Sequence, residues 1–304
     1  MVSLKQIHYY LGVAQAGQVS SAAQDMNVSQ SAVTLSIQDL EAELGVKLFV
    51  RRSSGLKLTQ EGHRFLHHAN NIQSVVSDAM NSMRSQDEQC DGKIRLGLTY
   101  MLSGYFLFPL LTRFRRAYPK ISIELIEKDR ASVEELLRTG DVDLALLLTS
   151  NLADRESITS VTLLKSPRRL WLSSFHPLLS REKVSFSEVA QEPYVLLRMD
   201  EADVSAAKYW KQAGIEPNAS FVTDSLEAVR AMVANGFAVT ILSDMVYRPW
   251  SLDGGKIEVR DMDSDVPSMN MGLAWKRGRR LSKAERIFRD YLVAETTAQG
   301  PRAT

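Results

Sequence analysis

The sequence contains a single cysteine, no long apolar run and almost no net charge. Cys90 is the only cysteine among 304 residues, so an internal disulfide is excluded and a reducing compartment is compatible with the chain. Its neighbours Asp87, Glu88 and Asp91 favour a plain surface thiol over a redox switch. No apolar stretch approaches the length of a membrane span, and the amino terminus lacks the charged-then-apolar layout of a signal peptide. We therefore expect a cytoplasmic protein with no membrane partner.

Sequence motifs of enzymes are also missing. The chain has no GxxxxGK[ST] phosphate loop, no GxGxxG or HExxH motif and no GxSxG nucleophile elbow. His63 and His67 have the spacing of half a metal site, but no further ligands are arranged with them. We therefore expect a protein that is not an enzyme, with no catalytic residue, no metal ion and no cofactor.

What is present is a pattern of two short helices separated by a tight corner, within residues 19–50. Ser21 and Gln24 have the spacing of a capping box, which predicts that the first helix begins there. The break at Asn27–Ser29 is too short for anything but a sharp turn, and Asn27 tolerates the left-handed backbone that such a turn often needs. The second helix has one apolar stripe, formed by Val33, Ile37, Leu40 and Leu44.

Polar residues off that stripe indicate contact with DNA. They lie at or near the start of the second helix, where a recognition helix meets base edges, and they are Gln30, Ser31, Thr34 and Gln38. An earlier helix would complete a trihelical core with Leu4, Ile7, Leu11 and Ala14. The alternative is an ordinary helical hairpin whose polar residues face water.

Residues 50–58 predict two short extended segments around a Ser-Gly turn, which together make a wing. Arg51 and Arg52 lie on the wing, with Lys47 and Lys57 on either side, and basic groups placed so suit phosphate or minor-groove contact. Residues 1–60 nevertheless hold five basic and four acidic side chains, a net charge of +1. Affinity for DNA would therefore require a dimer that presents two such wings.

The following segment predicts that dimer. Thr59 is placed to cap a helix that runs from about Gln60 to the late eighties. Its apolar residues follow a heptad spacing, which suits a partner helix better than a broad globular face does. These dimerisation residues are Phe65, Ala69, Ile72, Val76, Ala79 and Met83. The alternative is a helix packed on its own domain.

A combination of short motifs extends through these segments. It comprises Ala22-Ala23, Ser29–Thr34, Leu40-Glu41, Leu44-Gly45, Leu48-Phe49, Arg51-Arg52 and Leu58–Gly62. With this combination the chain resembles the LysR-type transcriptional regulators over essentially its whole length. The resemblance implies an N-terminal all-α winged helix-turn-helix plus linker helix, and a C-terminal α/β two-lobed periplasmic-binding-protein-like domain. It also implies a homodimer or homotetramer and contact with RNA polymerase.

Carried over position by position, the resemblance implies base contacts by Gln30, Ser31 and Thr34 and wing contacts by Arg51, Arg52 and the adjacent Ser53. Many members have an arginine directly after the position of Thr34, whereas this chain has Leu35. A guanine-reading fork is therefore absent, and Leu35 is expected to touch a thymine methyl group instead.

The region after Gly92 alternates strand and helix patterns, which predicts parallel sheets wrapped by helices. Ser132–Glu135 is expected to cap one helix, which Gly140 ends, and Asp224 is expected to cap another. A final helix is expected at Ser282–Val293. The predicted strands are Ile94–Leu98, Ile121–Glu127, Asp143–Leu148, Val195–Leu197, Phe221–Thr223, Ala238–Leu242 and Met271–Trp275.

A chain that builds a second lobe and then returns to the first has the pattern of a hinged binding protein. The predicted domains are residues 1–58 for the winged helix-turn-helix, 59–91 for the linker helix and hinge, and 92–304 for effector binding. Within the last, lobe 1 is 92–165 with 267–304, and lobe 2 is 166–266.

Ligands of open α/β sheets bind at the carboxyl ends of strands. This rule nominates Thr99, Ser103, Arg130, Thr149, Arg198, Asp200 and Thr223 as effector-binding residues. The family resemblance supports Thr99, Ser103, Arg130 and Thr223 more than the others. Arg130 and Arg198 favour a carboxylate or phosphate on the effector, whereas Asp200 and Asp224 favour an amine. Helix caps and solvated loops are the alternative roles.

The sequence thus predicts a LysR-type regulator that binds an interrupted palindromic operator in double-stranded DNA and responds to a small-molecule effector between its lobes. The alternative is a small-molecule binding module with only non-specific affinity for DNA. An enzyme built on the two lobes would lack any recognisable nucleophile or cofactor motif.

Overall fold

The computed structural model describes residues 1–52, 55–84 and 90–298, and of residues 52, 67, 74, 77, 78, 80–84 and 298 only the backbone. The chain divides into two compact units, Met1–Gln89 and Cys90–Pro301. The first unit contains helices α1 (Leu4–Ala16), α2 (Val19–Asp25), α3 (Gln30–Leu44) and α4 (Gln60–Arg84), and strands β1 (Phe49–Arg52) and β2 (Gly55–Leu58).

The first unit is a trihelical core with an antiparallel hairpin, β1 and β2, beside it. Asn27 has a φ of 54°, which confirms the left-handed turn between α2 and α3. Ser29 caps α3 by accepting a hydrogen bond from Ala32 N at 3.2 Å. Ala22 and Ala23 are buried where the helices cross. The fold of this unit is therefore a winged helix-turn-helix, as the sequence predicted.

Three local predictions for this unit were wrong. Helix α2 begins at Val19 with Gln18 as its N-cap, so Ser21 does not cap it; Gly17, in a left-handed conformation, ends α1 and lets the next helix start at once. Leu4 is 55% exposed because Tyr9 and Tyr10 bury the larger face of α1. Leu44 is also exposed, in the last turn of α3.

The second unit consists of two lobes. Lobe 1 begins with β3 (Gly92–Leu98), α5 (Tyr100–Leu102), α6 (Phe108–Ala117), β4 (Ile121–Glu127), α7 (Arg130–Thr139), β5 (Leu144–Leu148) and β6 (Ile158–Ser166). Lobe 2 follows with β7 (Arg168–Ser173), β8 (Lys183–Val184), α8 (Phe186–Val189), β9 (Tyr194–Leu197), α9 (Ala202–Ala213), β10 (Ala219–Thr223), α10 (Leu226–Ala234), β11 (Thr240–Ser243) and β12 (Ile257–Met262). The chain then returns to lobe 1 with β13 (Met269–Lys276) and α11 (Lys283–Ala298).

Neither lobe has an all-parallel sheet, which corrects the prediction. In lobe 1 the strand order is β4-β3-β5-β13-β6; β3 is parallel to β4 and β5, but β13 is antiparallel to both of its neighbours. In lobe 2, β7 is antiparallel to β11 and β12, and only the pairs β9–β10 and β8–β12 are parallel. The returning strand β13 enters the sheet in the reverse direction because it crosses back from lobe 2.

Strands β6, β7, β8 and β12 have no counterpart in the prediction. In these strands buried residues alternate with partly exposed ones, or only part of the strand is buried. Strand β7 also begins with two arginines. The strands therefore lack the continuous apolar run that identified β5.

Two helix caps were also misplaced. Asp129 caps α7 by accepting from Ser132 N at 2.9 Å, and Ser225, not Asp224, caps α10. Gly140 does end α7, with a φ of 87°.

Candidate functional site

One face of α3 is polar and exposed. Val33, Ile37 and Leu40 are buried on the opposite side of the helix, so that residues at intervening positions point outward. The exposed residues of α3 include Gln30, Ser31, Thr34, Leu35 and Gln38, which the sequence nominated for contact with DNA. Leu35 is 60% exposed and places an apolar side chain among these polar groups.

A buried acid joins α3 to the wing. Glu41 is 7% exposed, and its carboxylate accepts hydrogen bonds from Leu48 N at 2.8 Å and Phe49 N at 3.2 Å. Lys47 completes the group with a 2.6 Å ion pair to Glu41. These contacts fix the start of β1 to the recognition helix. Sequence reasoning missed this role, although Glu41 stands four residues after Ile37 on the apolar stripe, which is the signal that could have identified it.

The hairpin places Arg51 opposite Leu56, with the arginine side chain exposed. The side chain of Arg52 and all of Ser53 lie outside the described residues. Thr59 caps α4 as predicted, because its hydroxyl accepts from Gly62 N at 2.8 Å.

The predicted seam on α4 divides into two parts. Phe65 and Ala69 pack into the core of the first unit, and the Phe65 ring lies 4.9 Å from that of Tyr10. Ala69 is fully buried there, so its side chain offers no surface to a partner. Ile72 and Ala79 are exposed, Val76 is half-buried, and the side chain of Met83 lies outside the described residues.

In the second unit, the carboxyl ends of β3, β4 and β5 lead into Thr99, Arg130 and Thr149. Thr99 is buried at the start of α5, and Ser103 Oγ lies 2.5 Å from Glu127 Oε2. The Thr149 side chain is buried and donates a 3.3 Å hydrogen bond to Asn270 O. Ser103 and Arg130 therefore form a partly exposed surface of lobe 1, with the side chains of Thr99 and Thr149 buried behind it.

The loop after β9 in lobe 2 meets that surface. Asp200 Oδ2 accepts a 2.7 Å hydrogen bond from Met101 N beside Thr99, and burial raises the pKa of Asp200. Arg130 donates to both oxygens of Glu201 at 2.9 Å and to Glu134 at 2.5 Å. These hydrogen bonds, to Glu201 above all, raise the pKa of the Arg130 guanidinium.

Arg198 and Thr223 lie beside this loop of lobe 2. Arg198 is exposed and forms a 2.7 Å ion pair with Asp224. The Thr223 hydroxyl accepts from Ser225 N at 3.0 Å, which forms a tight turn just before α10. The structure therefore brings Thr99, Ser103, Arg130 and Asp200 together and leaves Arg198 and Thr223 bound to local partners.

Family models match most of the chain. Residues 4–63 match the model described as "Bacterial regulatory helix-turn-helix protein, lysR family", and residues 87–297 match the "LysR substrate binding domain". The chain belongs to the LysR family.

Relatives of this LysR-family regulator cover most of its length. It is 28% identical to the HTH-type transcriptional regulator YybE of Bacillus subtilis (strain 168) over 95% of this chain and 98% of that protein. It is also 28% identical to the hydrogen peroxide-inducible genes activator of Dickeya chrysanthemi, over 80% of each chain. The crystal structure of HinK from Pseudomonas aeruginosa has the same fold, with a TM-score of 0.64, 24% identity and coverage of 97% of this chain and 99% of that one.

Sequence reasoning missed several residues that form contacts between the two lobes. Glu201 follows a nominated residue but was not itself nominated, and its partner lies 71 positions away in the chain, beyond any local pattern. Arg230 on α10 is 2% exposed and donates a 3.1 Å hydrogen bond to Tyr105 Oη in lobe 1. Arg248 stacks on the same ring, 5.3 Å from its centroid. No sequence signal identifies these inter-lobe contacts.

Two kinds of feature are absent from the described residues. Within residues 1–52, 55–84 and 90–298, no helix is both long enough and apolar enough to span a membrane. The same residues contain no group of three or more histidine, cysteine, aspartate or glutamate side chains that could hold a metal ion.

Proposed function

We propose that this LysR-family regulator recognises an interrupted palindromic operator in double-stranded DNA through the exposed face of α3. That face carries the proposal: Gln30, Ser31, Thr34 and Gln38 provide hydrogen-bonding groups, and Leu35 provides an apolar contact for a thymine methyl. The buried stripe behind it holds these side chains on a rigid helix, which base readout requires.

The wing supports phosphate contact beside the recognition helix. Arg51 is exposed on β1, with Arg52 and Ser53 following at the turn. Because Glu41 ties β1 to α3, the wing and the recognition helix would approach DNA as one body. Their contribution is sequence-independent and salt-dependent.

We assign dimerisation to the C-terminal half of α4, from Ile72 onward. Ile72 and Val75 are 38% and 56% exposed, and Val76, Ala79 and Met83 continue the heptad spacing. Phe65 and Ala69 would act indirectly, because they fix the N-terminal half of α4 on the core of the first unit. A dimer, or a tetramer of two dimers, would place two recognition helices in major grooves at least one turn apart.

The second unit is proposed to bind a small-molecule effector in a cleft between its lobes. Ser103, Arg130 and Asp200 would line this cleft, with the buried Thr99 and Thr149 behind them and Arg198 and Thr223 at its margins. On this assignment residues 1–58 bind DNA, 59–91 connect, and 92–304 respond to the effector, with lobe 2 at 166–266. We further propose a cytoplasmic regulator that contacts RNA polymerase and has neither an enzymatic activity nor a resident cofactor.

Fluorescence anisotropy with the DNA upstream of the protein's own gene tests the DNA-binding proposal. Against a scrambled duplex, we expect a preference of roughly a thousandfold and a steep dependence on salt. Gln30→Ala should reduce that preference by about tenfold without lowering the melting temperature.

Gln73→Ala is the matched control, because Gln73 is an exposed glutamine of α4 outside the recognition helix. It should leave the preference unchanged. Equal binding of the wild-type protein to both duplexes, with and without cell metabolites, would instead favour a small-molecule binding module with non-specific DNA affinity.

A further inference from the structure

Two neighbouring acidic residues of lobe 2 reach into lobe 1. They are Asp200 and Glu201, in the connection between β9 and α9. Both have left-handed backbone conformations, with φ values of 49° and 60°. Residues other than glycine seldom adopt this conformation, and two in succession are held only where the surrounding contacts enforce it. The contacts that enforce it here are with lobe 1.

Asp200 binds the backbone at the start of the helical segment after β3. Its Oδ2 accepts from Met101 N at 2.7 Å, next to the buried side chain of Thr99. The carboxylate thus joins the connection after β9 in lobe 2 to the connection after β3 in lobe 1.

Glu201 binds the guanidinium at the start of α7. Both of its oxygens accept from Arg130, at 2.9 to 3.0 Å, in a forked arrangement. Arg130 is itself held by Glu134, whose oxygens also accept from Ala153 N and Asp154 N at 3.2 Å. Because Arg130 is fixed within lobe 1, its fork with Glu201 restrains lobe 2 directly.

These two contacts use the donors that an incoming anion would use at the carboxyl ends of β3 and β4. We propose that Asp200 and Glu201 form a carboxylate latch, which holds the two lobes together and must be released before a ligand can occupy the cleft. The inference rests on the proposed effector-binding function of this cleft. A ligand that enters the cleft would displace the two carboxylates. It would have to accept hydrogen bonds from Arg130 in their place, because the half-buried guanidinium would otherwise lose hydrogen-bond partners.

The latch predicts that its two contacts depend on each other. Glu201→Gln removes the charge that pairs with Arg130 but touches none of the backbone donors at Met101. Opening of the lobes would nevertheless expose those donors. We therefore expect hydrogen–deuterium exchange of the full-length Glu201→Gln protein to be about tenfold faster than wild type in peptides spanning residues 99–107.

Asp200→Asn is the second variant, because asparagine keeps an acceptor and tolerates the left-handed backbone. It should accelerate exchange at the start of α7, around Arg130, by a similar factor. Glu135→Gln is the matched control: it removes the exposed Glu135–Arg138 pair on the same helix, which involves no residue of lobe 2. This control should leave exchange in both regions unchanged.

Unchanged exchange at residues 99–107 in Glu201→Gln, with the variant's melting temperature confirming that it is folded, would overturn the latch. So would an equal acceleration in Glu135→Gln. The measurement uses neither DNA nor effector, so a failure of operator recognition and a failure of the latch would be seen separately.

Discussion

Glu41 illustrates how one side chain can connect two parts of a DNA-binding surface. Its carboxylate satisfies two backbone N–H groups where the chain enters the wing. Glu41→Gln retains the shape but loses the charge-assisted bonds, so we expect the free energy of unfolding to fall by about 2 kcal/mol. Urea denaturation measures this change. Asp39→Asn, at an exposed position on the same helix, should change it little, and an equal loss there would contradict the assigned role of Glu41.

Asp143 gives a pH-dependent prediction at the same scale. Burial would raise the pKa of this carboxyl, but hydrogen bonds from Arg95 and the charges of Arg95 and Arg279 outweigh it and hold the pKa below its ordinary value. A lowered pKa means that the ionised form stabilises the folded state at pH values above about 4, and that this contribution is lost as the pH falls through the folded-state pKa.

Asp143→Asn should therefore lower the free energy of unfolding by about 2 kcal/mol at pH 7. The difference between variant and wild type should shrink as the pH falls from about 4 through the lowered folded-state pKa, because the Asp143 carboxyl of the unfolded chain takes up its proton first. Urea denaturation across this range provides the measurement. A difference that persists undiminished into acid would show that lost packing, and not charge, accounts for the effect.

At the scale of elements, α4 combines two roles along one apolar seam. Its first turns are covered by the first unit, whereas Ile72 is exposed farther along. Ile72→Glu should weaken self-association by about tenfold or more, because it places a charge in the proposed helix–helix contact. Sedimentation equilibrium measures this effect. Gln73→Glu adds the same charge one position away, and a comparable weakening there would argue against the seam.

Elements were predictable where one local pattern decided them. The stripe of α3, the glycine that ends α7 and the apolar run of β5 are short-range signals, and each corresponds to an observed element. Caps were less predictable, because Ser132 and Asp224 have neighbours, Asp129 and Ser225, that can cap equally well. Strands β6 and β12 escaped prediction because their half-buried faces depend on which strands they pair with.

At the scale of the whole molecule, the described residues form separate hydrophobic cores, one in the first unit and three in the second. Leu40 is fully buried in the first and Phe288 in the second. We expect Leu40→Ala to destabilise the first unit by about 3 kcal/mol and Phe288→Ala to destabilise the second by about 4 kcal/mol.

Differential scanning calorimetry of the full chain should therefore resolve transitions that the two substitutions shift independently. The wild-type thermogram provides the reference for both. A single cooperative transition that both substitutions lower together would contradict independent folding of the units.

The sequence by itself determined the class of protein, the helix-turn-helix and the residues of its exposed face. The class of protein follows from the resemblance of its motifs to the LysR family. The helix-turn-helix and its exposed face follow from short-range spacing, which decides which side of a helix is buried. Only the tertiary structure decided that Glu41 anchors the wing, that Ala69 is enclosed by its own unit and that Glu201 pairs with Arg130. Such contacts join residues that are separated in the chain or whose burial depends on other elements, and no local periodicity encodes them.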